Sequence, residues 1–142
     1  MKYKGIEVKT IEFVWRLPWL SRYKAFVVPP FPIIFVAPNI LNNLQSDSPS
    51  PKSISFLAHE IKHLERQKQM GWIKFGFLYL ISPKFRLEEE LAAIKAAMIH
   101  LKKNKQEFDI DRAAKGLSSY LYLWMTSYEN AKRELEKIWK EV

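Results

Sequence analysis

Two histidines and a glutamate in the middle of the chain have the spacing of a metal-binding motif. The segment from His59 to His63 reads His-Glu-Ile-Lys-His and matches the pattern H-E-x-x-H. Because four residues advance a helix by about 400°, the two imidazoles project within about 40° of each other, one turn apart. The pattern predicts that His59 and His63 bind one metal ion. It also predicts that Glu60 acts as a general base on a metal-bound water.

The predicted metal is zinc. The chain contains no cysteine, so nitrogen and oxygen atoms must supply the ligands of any bound ion. Zinc accepts such ligands in a tetrahedral arrangement with one open position, and it lowers the pKa of a bound water to about 7. Hydroxide is then available at neutral pH.

A third ligand is expected on the next long helix. Glu88, Glu89 and Glu90 lie near its start, and several alanines follow them. Alanines let two helix backbones approach closely, which a side chain needs in order to reach a metal on the neighbouring helix. Acidic residues also favour the first turn of a helix because they oppose its dipole. We therefore expect at least one of the three glutamates to have only that role.

The elements that must position these residues are helices. Ser50-Pro51 predicts a helix start and Gly71 predicts its end, which gives an active-site helix over about 51–70. One face of this helix is expected to be buried, through Ile54, Leu57, Ala58, Ile61 and Leu64. Further helices are expected over four ranges: 72–81, 86–103, 111–123 and 127–141.

The N-terminal third is rich in β-branched, aromatic and proline residues. Ile33 to Ala37 is predicted to be a strand, and the prolines before it indicate a sheet edge. We expect an α+β fold, with one domain over 1–142. A short antiparallel edge sheet near the N-terminus is followed by four or five packed helices.

Charge and hydropathy bear on partners and location. The apolar stretch Trp72 to Ile81 is too short to span about 30 Å of hydrocarbon, and Met1 to Lys9 lacks the apolar core of a signal peptide. We expect a cytoplasmic protein without a membrane span. The net charge of +8 is spread along the whole chain, which favours a solvated basic surface. Nucleic acid is a possible partner that this distribution does not favour.

The motif and the elements around it resemble the gluzincin clan of metallopeptidases, and more narrowly the minigluzincins and related phage-type domains. The resemblance covers about Pro32 to Ile138 and is specific over His59 to Ala93. It rests on the H-E-x-x-H motif, on Gln67 after it, on an aromatic helix and on a Glu-x-x-Ala helix. It implies a zincin-like fold and a zinc metalloendopeptidase that hydrolyses peptide bonds.

The resemblance also implies the third ligand, which in the clan is the glutamate of the Glu-x-x-Ala segment, commonly followed by an apolar residue. Glu90 fits best, because Leu91 follows it and alanine stands three positions on. Glu89 satisfies the bare pattern and is the second choice. Ile94 stands where many members carry an aspartate that orients a ligand histidine, so another group is expected to do so here.

Substrate contacts can be predicted in outline. The resemblance implies that a peptide or protein substrate binds along Ile33 to Ala37, as an edge strand above the metal. An exposed edge offers unpaired backbone groups to an extended peptide. A side chain that stabilises the oxyanion is also expected. The sequence does not rank its four candidates: Arg86, Tyr120, Tyr122 and Tyr128.

Two alternatives stay open from the sequence. One is a catalytically inactive, basic binding module with a zincin fold, for nucleic acid or a partner protein; the charge favours it slightly and the intact motif opposes it. The other is a latent peptidase with its cleft blocked by its own tail or an oligomer contact. His100, near a helix end, is expected to be a solvated histidine rather than a ligand.

Overall fold

A small β-sheet forms the N-terminal part of the α+β fold. The computed structural model describes residues 1–18 and 23–142. Within them the sheet has four strands in the order β1-β2-β4-β3. The strands are β1 (Lys2–Tyr3), β2 (Ile6–Lys9), β3 (Ala25–Val27) and β4 (Ile33–Val36). The predicted strand near residue 33 is therefore present.

The position of β4 corrects two predictions. β4 pairs in parallel with β2, where Val8 lies opposite Ile34, and antiparallel with β3, where Phe26 lies opposite Phe35. The sheet is thus mixed rather than antiparallel. The prediction that residues 33–37 form an edge strand was wrong, because β4 has a hydrogen-bonded neighbour on each side. The prolines that suggested an edge belong to the connection before β4, so they remove no donor from its ladder.

Seven α-helices occur in the described ranges. They are α1 (Glu12–Trp15), α2 (Pro38–Leu44), α3 (Pro51–Met70), α4 (Trp72–Ile81), α5 (Pro83–Lys103), α6 (Ile110–Leu117) and α7 (Tyr128–Glu141). The number exceeds the four or five expected because α1 and α2 are short helices around the sheet. None of the helices within residues 1–18 and 23–142 combines the length and apolar character that a membrane crossing requires.

Helix α3 confirms the helix that was predicted over about 51–70. The Ser50 hydroxyl accepts a hydrogen bond from the Ser53 amide at 3.2 Å and so caps the first turn, with Pro51 at the first helical position. Gly71 ends the helix with φ +89°, a conformation that favours glycine. Helix α4 follows at once, which fixes it beside the end of α3.

The helix expected over 111–123 is interrupted. α6 ends at Leu117, and the hydroxyls of Ser118 and Ser119 donate to the carbonyls of Ala114 and Gly116, at 2.9 and 2.7 Å. These local bonds compete with helix continuation. A single 3₁₀ turn, Tyr120–Tyr122, follows instead.

Two apolar clusters hold the elements together. In the first, Val8, Ile34 and Val36 of the sheet pack with Leu57 of α3 and are fully buried. In the second, α5 packs on α6 and α7 through six buried residues: Ile94, Met98, Ala114, Leu117, Ala131 and Leu135. α5 also packs on α3 and carries the buried Ala93 and Ala97. These packing relationships bring the glutamates of α5 to the histidines of α3.

Candidate metal centre

Three side chains from two helices converge at one point. His59 and His63 lie one turn apart on α3, with their Nε2 atoms 3.2 Å from each other. Glu90 reaches them from α5: Oε2 lies 3.3 Å from Nε2 of His59, and Oε1 lies 3.3 Å from Nε2 of His63. The two histidines thus approach different oxygens of one carboxylate.

These separations fit a metal ion. With ligand bonds of about 2.0–2.1 Å, a tetrahedral ion holds its ligand atoms about 3.3 Å apart. The distances of 3.2, 3.3 and 3.3 Å are each close to that separation, with the two histidines facing different oxygens of the one carboxylate. Among the described residues, His59, His63 and Glu90 form the group whose ligand atoms lie close enough together to hold an ion.

The electrostatics of the site favour a positive charge between the ligands. Burial alone would raise the pKa of Glu90, but the facing histidines, His63 first, hold that pKa well below its usual range. Burial alone would lower the pKa of His63, yet Glu90 raises it to about 9. Each partner thus stabilises charge on the other. Oε2 of Glu90 is buried without a well-aligned hydrogen-bond donor in the described residues, which leaves a lone pair for a cation.

Glu60 lies beside this group rather than within it. Its Oε1 is 4.0 Å from Nε2 of His59, and the side chain is buried. Burial raises the pKa of Glu60, and the nearby histidines oppose that rise without cancelling it. A carboxylate placed next to the ligands, with a raised pKa, is suited to exchange protons with a water in the open position.

Tyr79 is a residue of the site that the sequence analysis missed. Its hydroxyl donates a hydrogen bond to Oε1 of Glu90, and burial followed by the Glu90 charge strongly raises its pKa. Its ring stacks on Phe75, with 5.8 Å between centroids, and both rings face His63 edge-on. The sequence offered one signal for it. α4 follows α3 after a single residue, and Phe75 and Tyr79 are four positions apart, so both lie on one face of α4.

Glu89 has a different partner. Arg66 of α3 binds both of its carboxylate oxygens, with Nε at 3.0 and 3.1 Å and Nη2 at 2.8 Å. Glu88 is exposed. Of the three adjacent glutamates, only Glu90 meets the histidines. Glu89, the second choice for the third ligand, instead joins α5 to α3.

The group expected to orient a ligand histidine in place of an aspartate is not found among the described residues. Nδ1 of His63 is buried and has no hydrogen-bond partner there. Within this group it is the Glu90 carboxylate that receives an orienting hydrogen bond, from Tyr79. Gln67 is buried on α3, and the structure indicates no ligand role for it.

The four candidates for oxyanion stabilisation separate clearly. The buried guanidinium of Arg86 donates to the carbonyls of Tyr79, Leu80 and Tyr122. Its hydrogen bonds therefore go to the backbone rather than toward the metal group. The Tyr128 hydroxyl donates to Asp111 at the surface. Tyr120 is 39% exposed.

Tyr122 is the candidate whose pKa depends on the charges of the site. Burial raises the pKa of its phenol well above the usual value, and the charges of Glu90 and Glu60 raise it further. The ring of Tyr23 meets the Tyr122 ring edge-on, with centroids 6.2 Å apart, and the Tyr23 hydroxyl donates to the Leu121 carbonyl. Burial, and after it the charge of Glu90, raise the pKa of Tyr23. The sequence analysis did not single out Tyr23.

His100 lies outside the metal group, in the last turn of α5 beside Asn104. Burial, followed by Lys4 and Lys103, lowers its pKa.

Comparison of the chain with models of known protein families, with curated proteins and with solved structures found no match. The argument for a function therefore rests on the site itself.

Proposed function

We propose that the protein is a zinc-dependent metallopeptidase of the gluzincin type. The observation that carries the proposal is the convergence of His59, His63 and Glu90 to within 3.2–3.3 Å, with Glu60 beside them. Two imidazoles and one carboxylate that leave a position open are the ligands of catalytic zinc sites in peptidases. Magnesium and calcium prefer sites made of oxygen ligands, so the two nitrogens favour zinc.

Each residue of the site has a role in this proposal. Zinc held by His59, His63 and Glu90 would supply a water of lowered pKa and would polarise the substrate carbonyl. Glu60 takes the proton from the attacking water and returns it to the leaving amine. The Tyr122 hydroxyl donates a hydrogen bond to the oxygen that becomes negative during attack. Tyr79 keeps the Glu90 carboxylate in its ligand position.

The substrate strand moves from β4 to β3 in this proposal. β3 is an edge strand among the described residues and contacts α3, the helix that carries both histidines. β4 is paired on both sides and has no free edge. An extended peptide can therefore add to the free side of Ala25–Val27 through backbone hydrogen bonds.

The test compares metal content and hydrolysis in matched variants. Wild type is expected to bind one zinc and to cleave unstructured protein substrates at neutral pH, with cleavage lost on chelation. Glu60→Gln should keep the zinc and lose about 10²- to 10⁴-fold in rate. His63→Ala should lose the zinc. Glu65→Gln is the matched control on the same helix, since Glu65 is exposed and pairs with Lys62.

Two results would contradict the proposal. Zinc-dependent cleavage that persists undiminished in Glu60→Gln would show that Glu60 is not the general base. Zinc content that is unchanged in His63→Ala would show that the proposed ligand set is wrong. Tight zinc binding without hydrolysis of any substrate would instead favour a latent or binding role for the same site.

A further inference from the structure

Helix α4 exposes a row of large apolar side chains on the face opposite the metal group. The inward face carries Phe75, which is 4% exposed. The outward side chains Ile73, Phe77, Leu80 and Ile81 are 55–68% exposed, and Trp72 in the first turn is 47% exposed. An apolar helix with one face in the core and the other open is a mark of an interaction surface.

A second apolar segment lies at the end of this row. Leu123 and Trp124 are 53% and 71% exposed. The Arg86 guanidinium fixes their place, because it donates to the carbonyls of both Leu80 and Tyr122, each at 3.1 Å. We call these seven exposed residues of α4 and the 123–124 turn the apolar strip.

The backbone of the turn is unusual for large side chains. Leu123 and Trp124 both have positive φ, 57° and 49°, in a region that residues with a Cβ seldom adopt. The amides of Leu123 and Trp124 donate to the carbonyls of Tyr120 and Ser119, at 3.1 and 3.0 Å. The fold therefore holds these apolar residues outward in a fixed conformation.

The apolar strip has a basic border. Lys68, Lys74 and Lys84 are exposed around α4, and the stretch 66–87 contains no aspartate or glutamate. The two arginines of that stretch are engaged elsewhere, with Glu89 and with backbone carbonyls. The lysines thus present uncompensated positive charge beside exposed tryptophan, phenylalanine, leucine and isoleucine.

We propose that the apolar strip docks on the surface of an anionic lipid bilayer. Apolar and aromatic residues with a lysine border are the composition of helices that lie in the membrane interface. Lysines near an anionic leaflet add attraction that depends on salt. At ten residues α4 is about 15 Å long, so it would lie in the plane of the interface.

Charge argues against a second copy of the chain as the occupant. A symmetric dimer through the apolar strip would bring the same lysines of two copies together, and the stretch 66–87 supplies no carboxylate to pair them. Each chain also carries a net charge of +8. An anionic bilayer complements both the apolar row and its border. The proposal is independent of the proposed peptidase activity.

Vesicle partitioning tests the proposal directly. The full chain is mixed with large unilamellar vesicles of phosphatidylcholine alone or with about a third of phosphatidylserine, and the bound fraction is measured by sedimentation. We expect binding to the anionic vesicles that weakens as salt rises. Lipids brominated in the acyl chain should quench tryptophan fluorescence, because Trp72 and Trp124 would reach the acyl boundary.

Matched variants locate the binding surface. Phe77→Glu should lower the partition coefficient at least about tenfold, since a buried aromatic ring contributes that much or more. Phe13→Glu is its control, because Phe13 is 68% exposed elsewhere, on α1. The double variant Lys74→Glu/Lys84→Glu should also lose at least about tenfold. Lys137→Glu/Lys140→Glu changes the net charge equally on α7 and should bind within about threefold of wild type.

The outcomes divide cleanly. Ile73→Glu repeats the Phe77 test at a position 68% exposed, and an unchanged circular-dichroism spectrum and melting temperature show that each variant keeps its fold. Absence of binding to anionic vesicles would overturn the proposal, as would equal losses in Phe77→Glu and Phe13→Glu. A wild-type dimer that Phe77→Glu dissociates, without vesicle binding, would assign the apolar strip to self-association.

Discussion

The Tyr79 hydroxyl donates a hydrogen bond to Oε1 of Glu90, so α4 holds in place a side chain that α5 contributes to the metal group. The tyrosine is itself fixed by stacking on Phe75 at 5.8 Å between centroids. Glu90 is 2% exposed, which leaves water little access to replace the phenol. The rotamer of Glu90 therefore depends on a residue of α4, a helix that contributes none of the three side chains of the candidate metal group.

Removing this hydroxyl should weaken metal binding without unfolding the protein. Tyr79→Phe keeps the ring and its stacking, and we expect zinc affinity to fall about 10- to 100-fold, the usual effect of losing a group that orients a ligand. Competition with a chromophoric chelator measures the affinity. Tyr128→Phe removes a hydroxyl bonded to Asp111 at the surface and serves as the control. Equal affinities of wild type and Tyr79→Phe would show that Glu90 needs no such support.

The two adjacent glutamates should separate ligand loss from loss of stability. Glu90→Gln should abolish tight zinc binding, because a neutral amide is a poor ligand for the ion. Glu89→Gln should keep one zinc and lower the free energy of unfolding by about 1–2 kcal/mol, since it weakens the bidentate contact with the partly exposed Arg66. Metal analysis and urea denaturation of both variants measure these effects. Loss of zinc in Glu89→Gln with zinc retained in Glu90→Gln would reverse the assignment.

Local signals in the sequence were sufficient for helix α3 and for the relative placement of His59 and His63 on it. The bounds of α3 follow from Ser50, Pro51 and Gly71, whose conformations are set by their nearest neighbours. The spacing of His59 and His63 follows from helix geometry alone. These features need no knowledge of distant contacts, which is why they were predicted correctly.

The contacts that the sequence analysis missed join distant segments. Arg86 bonds the carbonyl of Tyr122, 36 positions away, and Arg66 bonds Glu89, 23 positions away. The hydrophobic periodicity of the sequence does not predict such pairs. The placement of β4 failed for the same reason, because its parallel pairing with β2 joins strands that are separated by α1 and β3. A proline before a strand describes the connection and does not reveal the strand's neighbours.

Arg86 should prove to be a structural residue. Its buried guanidinium joins the C-terminal end of α4 to the 120–124 turn through three backbone carbonyls. Arg86→Met should therefore lower the free energy of unfolding by about 3 kcal/mol or more, because those carbonyls lose their donors in the interior. Thermal and urea denaturation measure the change, with exposed Arg133→Met as the control. Unchanged stability together with a large loss of turnover would return Arg86 to the list of oxyanion donors.

Tyr122 should affect turnover and leave zinc binding intact. Burial, together with the charges of Glu90 and Glu60, raises the pKa of its phenol. Tyr122 is not one of the three residues of the candidate metal group. A hydrogen bond that strengthens only as the oxyanion forms acts on kcat more than on KM. Tyr122→Phe is expected to lower kcat about 10²- to 10³-fold, the usual cost of one oxyanion donor.

The measurement that decides the role of Tyr122 is the split between kcat and KM at full zinc occupancy. Tyr128→Phe, which removes a hydroxyl bonded to Asp111 at the surface, should have the kinetics of wild type. If Tyr122→Phe raises KM while kcat stays unchanged, the phenol binds the substrate in its ground state and the oxyanion must be stabilised by another group. If both constants equal those of wild type, Tyr122 has no part in the reaction, although its ring packs against Tyr23 at the edge of the site.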